Sequence, residues 1–191
     1  GIGEGGRIAL GGLQQAGGGL AARAGGQGND STKAAASGDA LGLGHFRVLS
    51  YGNPLYFEDE APTTPEGREA FARYAVATVA NLGTEGNVFE VWNEWNWRDL
   101  DGAAGGSAAQ YVELLRVVHD RVKAEFPDAV LVGPALAPME DWQGWFTEFA
   151  ELGGLELVDA VSTHPYTFPN APEGSTRFAG HWQTLRAIMA D

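Results

Sequence analysis

Apolar positions along the chain switch between a spacing of two and a spacing of three to four residues, which predicts strands followed by helices. The stretch "HFRVLSYGNPLY", which begins at His45, is β-rich and ends at the turn-forming residues 52–54. A helix is predicted next, with Thr64 as its N-cap, Pro65 at its first position and Gly83 as its stop. Together the two elements form one strand–helix unit.

The same strand–helix order recurs three more times. The second unit has a strand in "NVFEVWNEWN" and a helix that begins at Ser107 and ends at Pro127. The third and fourth units consist of "AVLVGPALAP" with "DWQGWFTEFAELG", and "VDAVSTHPYTFP" with "TRFAGHWQTLRAIMAD". Four such units in a row indicate an α/β fold with a parallel sheet and right-handed crossovers. Periodicity leaves two architectures open, an open doubly wound sheet and a (β/α) barrel.

Composition separates residues 1–44 from the rest of the chain. That segment is rich in Gly and Ala without a sustained period, so we predict a flexible or irregular segment at 1–44 and the strand–helix units at 45–191. The chain has 12 Lys and Arg against 25 Asp and Glu, and this net charge of −13 repels phosphate backbones and anionic lipids. No apolar run approaches the roughly 20 residues of a membrane span. We therefore expect neither nucleic acid nor a membrane as a partner.

Functional groups are expected at the carboxyl ends of the strands, where the sequence places polar and aromatic residues. Four such ends follow apolar strand cores, at residues 51–53, 93–95, 133–138 and 164–166. No Gly-rich phosphate motif joins a strand to a helix, so no nucleotide cofactor is predicted. The chain has no Cys, and its four His lack the spacing of metal ligands, so no metal site is predicted either.

The stretch "FEVWNEWNW" at the end of the second strand holds the strongest candidates for chemistry. Strand alternation predicts that Glu90, Trp92 and Glu94 share one face, with Glu90 roughly 6–7 Å deeper than Glu94. A buried carboxylate needs a partner, and we predict an ion pair between Glu90 and Arg47. The aromatic residues Trp92 and Trp95 flank Glu94, so its pKa is expected to rise, which would suit a general acid.

The same stretch also resembles a known motif. "FEVWNEWN" is similar to the Trp-Asn-Glu motif at the end of the fourth strand of clan A glycoside hydrolases, which are (β/α)8 barrels. "YGNPLY", "VLVGPALAP" and "VDAVSTHPY" resemble the third, fifth and sixth units of family 39-like members, including bacterial enzymes that cut exopolysaccharides. The resemblance covers residues 45–191. It implies a partial or truncated (β/α) barrel of the TIM type.

The resemblance implies roles for four residues. Glu94 would be the acid/base catalyst, and Asn93 would hydrogen-bond the 2-hydroxyl of the sugar. His164 and Tyr166, at the end of the sixth barrel strand, would line the subsite near the scissile bond. These positions lie at the strand ends already singled out by the pattern of residues.

Further substrate contacts are expected from residues in the loops after the strands. Aromatic faces stack on the apolar faces of sugar rings, and we favour Trp95 or Trp97, together with Trp142, for this role. The alternative for these tryptophans is packing in the core. Asn53 is a candidate for substrate binding, and formation of the turn before Pro54 is an equal alternative for it.

The chain departs from the family pattern because it offers no counterpart of the second carboxylate. Retaining glycosidases place this nucleophile about 5–5.5 Å from the acid/base, on the seventh strand, and a closed barrel typically needs ~250 residues. Three alternatives follow: a piece of a longer protein, a truncated barrel closed by residues 1–44, or self-association through open sheet edges. Within this chain, the candidates for a partner carboxylate are Glu58, Asp59, Glu60, Glu140, Asp141 and Glu173.

The expected function is hydrolysis of O-glycosidic bonds in a β-linked polysaccharide or oligosaccharide. The enzyme would be an endo-acting glucanase (cellulase) or a xylan or exopolysaccharide hydrolase, without a cofactor, in a secreted or periplasmic setting. Two other hypotheses stay open. The chain would be a carbohydrate-binding pseudoenzyme that lacks a second carboxylate, or an inactive fragment.

Overall fold

Four parallel strands form one sheet in the part of the chain described by the computed structural model, which is residues 38, 40–50, 52–57, 61–97, 106–137, 141–166, 171 and 176–190. Neighbouring strands in the sheet are also neighbours in chain order. The strands are β1 (Phe46–Leu49), β2 (Val88–Val91), β3 (Val130–Leu136) and β4 (Ala160–Thr163). Most of the predicted irregular segment, 1–44, lies outside the described residues.

The four predicted helices are present, and a short helix lies at 54–57, where the sequence predicted a loop. The helices are α1 (Pro54–Phe57), α2 (Pro65–Leu82), α3 (Ala108–Glu125), α4 (Trp142–Glu151) and α5 (Thr176–Ile188), and a 3₁₀ turn spans Gly154–Leu157. The predicted caps of α2 are confirmed, because Thr64 Oγ1 accepts the Gly67 N–H at 3.1 Å and Gly83, with φ +78°, ends the helix. At α3, Ser107 and Gln110 form a reciprocal capping box.

The strand order decides between the two architectures that the pattern left open. A doubly wound sheet reverses its strand order at a switch point, whereas a (β/α) barrel adds each strand next to the previous one. The order β1-β2-β3-β4 has no reversal within the described residues. The fold is therefore α/β, a partial (β/α) barrel with parallel strands. None of the described helices is long and apolar enough to cross a bilayer.

The two outer strands of the described sheet, β1 and β4, each pair with one described strand. Open strand edges expose unpaired N–H and C=O groups that other strands can bind. Self-association through these edges therefore stays a prediction.

The register of the sheet separates Arg47 from Glu90. Glu90 lies beside Val48 on β1 and Val132 on β3, whereas Arg47 lies beside Phe89. Registered residues of parallel strands point to the same face and successive residues to opposite faces, so Arg47 and Glu90 lie on opposite faces. The predicted ion pair is wrong, because the described residues contain no ion pair between Arg47 and Glu90.

Hydrogen bonds of Lys123 and Asp159, which we call the latch, join α3 to the amino ends of β3 and β4. Lys123 Nζ donates to Asp159 Oδ2 at 2.9 Å and to the Ala129 carbonyl at 2.7 Å. Asp159 Oδ2 also accepts the Leu131 N–H at 2.8 Å. Burial alone would raise the pKa of Asp159, but the bonds from Lys123 and Leu131 outweigh burial and hold the pKa below its usual value.

Replacement of Asp159 by Ala is expected to lower the free energy of unfolding by about 1–2 kcal/mol at pH 7, because the Leu131 N–H loses this acceptor and Lys123 keeps only backbone carbonyls as acceptors. The expected loss of free energy is small because the Asp159 side chain is 42% exposed and water screens its charge. Since the folded carboxyl has the lowered pKa, its contribution is complete above the ordinary Asp value of about 3.9 and is lost as the pH falls below it. Urea unfolding at pH 7 and at pH 3 measures both effects.

The control for this latch is Glu69→Ala. Glu69 pairs with Arg121 at 3.0 Å, and both side chains are exposed. Exposed pairs contribute little, so a loss of about 0.5 kcal/mol or less is expected. Equal losses in the two variants would contradict the role assigned to Asp159.

Candidate active site

The backbone turns sharply where β2 ends. Trp92 and Glu94 both have positive φ, +66° and +50°, a region that costs a non-Gly residue about 1–3 kcal/mol. The Trp92 ring consequently packs against Phe71 of α2, with ring centroids 5.6 Å apart. Trp92 and Glu94 both line one surface depression. Strand alternation is not a guide through left-handed residues, so the common face of Trp92 with Glu90 stays a prediction. Strain of this kind is typical of functional sites.

His164 connects the two glutamates of this stretch. Its Nδ1 lies 2.8 Å from Glu94 Oε1, and its Nε2 lies 3.8 Å from Glu90 Oε2. The backbone N–H of His164 donates to the Leu136 carbonyl at 2.9 Å, which fixes the residue beside the end of β3. The three side chains form the Glu90–His164–Glu94 cluster at the carboxyl ends of β2 and β4. The sequence predicted that Glu94 and His164 both lie at the carboxyl ends of strands, but it gave no sign of their direct contact.

The members of the cluster differ in their access to solvent. Glu94 has a side chain 16% exposed, and Glu90 has one only 2% exposed, with Oε1 lacking a hydrogen-bond partner among the described residues. Burial raises the pKa of Glu90, and the charge of Glu94 adds to this effect. The Ser162 hydroxyl and His164 act in the opposite direction. Glu94 and His164, whose side chain is 25% exposed, are thus the members that a ligand can reach.

Asn93 and Glu94 line a surface depression together with Ala61, Trp97 and Gly106. The loop after β2 is held to the sheet by Asn96, which is buried. Asn96 Nδ2 donates to the Ala137 carbonyl, and Asn96 Oδ1 accepts the Ala137 N–H, both at 2.9 Å. This pair of bonds fixes the loop that carries Glu94 to the end of β3.

The two tryptophans of this loop have different surroundings. Trp95 is 2% exposed, and its ring contacts Trp92 and Tyr111 at centroid distances of 5.5 and 5.7 Å. A Cβ on Gly106 would lie 1.7 Å from Trp95 Nε1, so only Gly fits there. These contacts favour core packing, the alternative to sugar stacking, for Trp95. Trp97, at 46% exposure, keeps a free surface for a sugar ring.

Trp142 lies at the beginning of α4 and packs against His181 of α5, with ring centroids 4.2 Å apart and the ring planes tilted by 43°. His181 Nε2 lies 2.7 Å from Thr163 Oγ1, and burial lowers the pKa of His181. One face of the Trp142 indole is therefore covered by a neutral ring. The half-buried side chain leaves less room for stacking on a sugar than Trp97 does.

Tyr166 and Asn53 lie at two other strand ends. Tyr166 is exposed, and its ring packs edge-on against His164 with centroids 6.3 Å apart. Asn53 Oδ1 accepts the Leu55 N–H at 3.0 Å, which is the turn-forming contact. Tyr166 is thus available beside the cluster, and the contact of Asn53 favours a role in the turn.

The candidates for a partner carboxylate fall mostly outside the described residues. Among them, only Asp141 is described, as an exposed residue before α4. The undescribed candidates are Glu58, Asp59, Glu60, Glu140 and Glu173. Within the described chain, no group of three or more His, Asp or Glu side chains is arranged to hold a metal ion.

Comparisons with known proteins support the fold. No protein-family model matches the sequence, and no curated protein matches it. Among solved structures, a monomeric β-xylosidase from Caulobacter crescentus is 24% identical, with a TM-score of 0.53, over 75% of this chain and 34% of its own. A GH39 β-xylosidase from the same organism is 25% identical, with a TM-score of 0.46, over 70% of this chain and 29% of its own. The GH39 enzyme from Xanthomonas axonopodis pv. citri is 19% identical, with a TM-score of 0.46 and the same coverage.

The first of these likenesses shows the fold alone, which is part of a TIM-type barrel. This chain spans about a third of the length of that xylosidase, so the match concerns part of a barrel.

Proposed function

We propose that this chain carries the acid/base part of a glycoside hydrolase site of the family 39-like type. Glu94 donates a proton to the leaving oxygen of a β-linked sugar and then activates water. The observation that carries the proposal is the 2.8 Å contact between Glu94 Oε1 and His164 Nδ1 at the carboxyl ends of parallel strands, where barrel enzymes have their active sites.

The surroundings of Glu94 fit this role. A general acid must be reachable by the substrate, and Glu94 opens to the depression that Asn93 also lines. The amide of Asn93 is placed to bind a sugar hydroxyl. Trp97 lines the same depression, Tyr166 packs against His164, and both are exposed aromatic residues that can hold the apolar faces of sugar rings.

The substrate we propose is a β-linked xylan or xylo-oligosaccharide, with β-glucans and exopolysaccharides as the alternatives. The β-xylosidase named above, which shares the fold, favours the xylose-based substrate. Hydrolysis with retention needs a second carboxylate about 5–5.5 Å from Glu94. Glu90 does not suit this role because its carboxyl is buried. Glu94 is the one carboxylate among the described residues that line the depression, so we propose that the second carboxylate lies outside the described residues.

The lack of an accessible second carboxylate beside Glu94 within the described residues favours one other candidate, a carbohydrate-binding pseudoenzyme. Such a protein would use the same depression and the same aromatic residues. It would bind saccharides without releasing any product.

The experiment that tests the proposal is reducing-sugar release from a panel of xylans, soluble β-glucans and exopolysaccharides by the 191-residue protein, with calorimetric binding measured in parallel. Release from one polymer class, lost in Glu94→Gln, is the expected result. Binding without release would favour the pseudoenzyme. Equal release by the protein and by Glu94→Gln would overturn the assignment of Glu94.

A further inference from the structure

We infer that Glu90 is a positioning residue for Glu94 that acts through His164: the charge of Glu90 decides whether the shared proton lies on Glu94 Oε1 or on His164 Nδ1. The inference rests on the proposed function only where it gives Glu94 a role in catalysis. The link among the three side chains is a property of the cluster itself.

The geometry of the imidazole makes this link. Glu94 Oε1 and His164 Nδ1 are 2.8 Å apart, which is the distance of a hydrogen bond with one shared proton. Glu90 Oε2 lies 3.8 Å from Nε2, on the opposite side of the ring. A proton on Nδ1 of an imidazole that already carries one on Nε2 makes the ring a cation. An anionic Glu90 stabilises this cation, and a neutral Glu90 does not.

The surroundings of Glu90 leave its charge sensitive to pH. From β1 and β3 it faces Val48 and Val132, which are apolar. The other groups near it are Ser162 and His164 from the end of β4, Glu94 from its own loop and Tyr111 from α3. No described Lys or Arg forms an ion pair with Glu90, and burial raises its pKa. A neutral carboxyl and a charged one are therefore both accessible to Glu90.

The two states of Glu90 correspond to the two forms that an acid/base residue needs. With Glu90 neutral, the shared proton stays on Glu94, which is then a general acid. With Glu90 charged, the shared proton moves along the 2.8 Å hydrogen bond from Glu94 Oε1 to His164 Nδ1. Glu94 then becomes a carboxylate that can act as a base. Two protons move in this change: Glu90 releases its own proton to the solvent when it ionises, and the shared proton passes from Glu94 Oε1 to His164 Nδ1.

The test follows the His164 ring by NMR in a pH titration of the 191-residue protein, Glu90→Gln and the control Glu85→Gln. Glu85 is an exposed glutamate in the turn before the same strand. Removal of the negative charge disfavours the imidazole cation, so the midpoint of the His164 signal is expected to fall by about one pH unit in Glu90→Gln. It should not move in Glu85→Gln. An unchanged midpoint in folded Glu90→Gln overturns the inference.

A second measurement needs no variant and covers the case in which Glu90→Gln does not fold. The side-chain carboxyl carbon of Glu90 in the unmodified protein should show a step at the pH where the His164 ring changes its signal. Independent titrations of the two groups would overturn the inference.

A third readout separates a positioning role from a structural one. If the protein hydrolyses a glycoside, the alkaline limb of kcat/KM should move to higher pH in Glu90→Gln, because the proton then stays on Glu94. A profile with unchanged midpoints contradicts the inference even where activity drops. Failure of the proposed function leaves the two NMR results intact, since neither depends on hydrolysis.

Discussion

Replacement of Glu94 by Gln is expected to lower kcat/KM for a glycoside with a poor leaving group by about 10²–10⁴-fold, the range that general acid catalysis contributes. Gln has nearly the shape of Glu and can keep a hydrogen bond to His164, so the fold should remain. Its amide, however, cannot transfer a proton to the leaving oxygen. The loss should therefore lie in chemistry rather than in substrate binding.

Two aryl β-xylosides with different leaving groups make this experiment specific. Methoxyphenolate needs a proton to leave, whereas dinitrophenolate needs little help, so Glu94→Gln should lose much more activity on the first substrate. Glu85→Gln serves as the matched control, because it removes an exposed carboxylate before the same strand. Equal losses on both substrates would show that Glu94 does not act as the acid.

The largest expected effect on stability comes from Tyr111→Ala, which should lower the free energy of unfolding by about 3–5 kcal/mol. Tyr111 is fully buried, and its ring contacts Trp95, Trp145 and Phe149 at centroid distances of 5.7–5.9 Å. Its removal leaves a cavity between α3, α4 and the loop that carries Glu94. Urea unfolding followed by circular dichroism measures the loss.

Tyr111→Phe separates the hydroxyl from the ring. The Tyr111 hydroxyl donates to the Val91 carbonyl at 2.8 Å, and burial raises the pKa of this phenol, which keeps it a donor. Tyr111→Phe removes this donor from the buried Val91 carbonyl. The change is expected to lower the free energy of unfolding by about 1–3 kcal/mol. Leu152→Ala, at an exposed residue after α4, is the control and should cost little. A Phe variant as unstable as the Ala variant would contradict the weight given to the ring.

The elements of the fold were predictable because their signals are local. Thr64, Pro65 and Gly83 act on the backbone within a few residues, and so does the capping box of Ser107. The grouping of Glu94 with His164 was predictable for another reason, because the carboxyl ends of parallel strands meet at one edge of the sheet. Neither inference required knowledge of how side chains pack.

The errors concern features that depend on distant parts of the chain. The face of Arg47 is set by its register with β2, and the sequence of one strand does not contain that register. For Trp92, the left-handed backbone at the strand end means that alternation cannot predict the orientation of the side chain. The burial of Trp95 depends on Gly106, eleven positions later, which leaves room for the indole.

The bonds between Asn96 and Ala137 have a consequence for how such a site can evolve. They attach the loop that carries Glu94 to the end of β3 before the chain continues past Trp97. Insertions or deletions between Trp97 and Gly106 can therefore accumulate without displacing Glu94. Under the function we propose, contacts to the sugar can therefore change in evolution while Glu94 keeps its position.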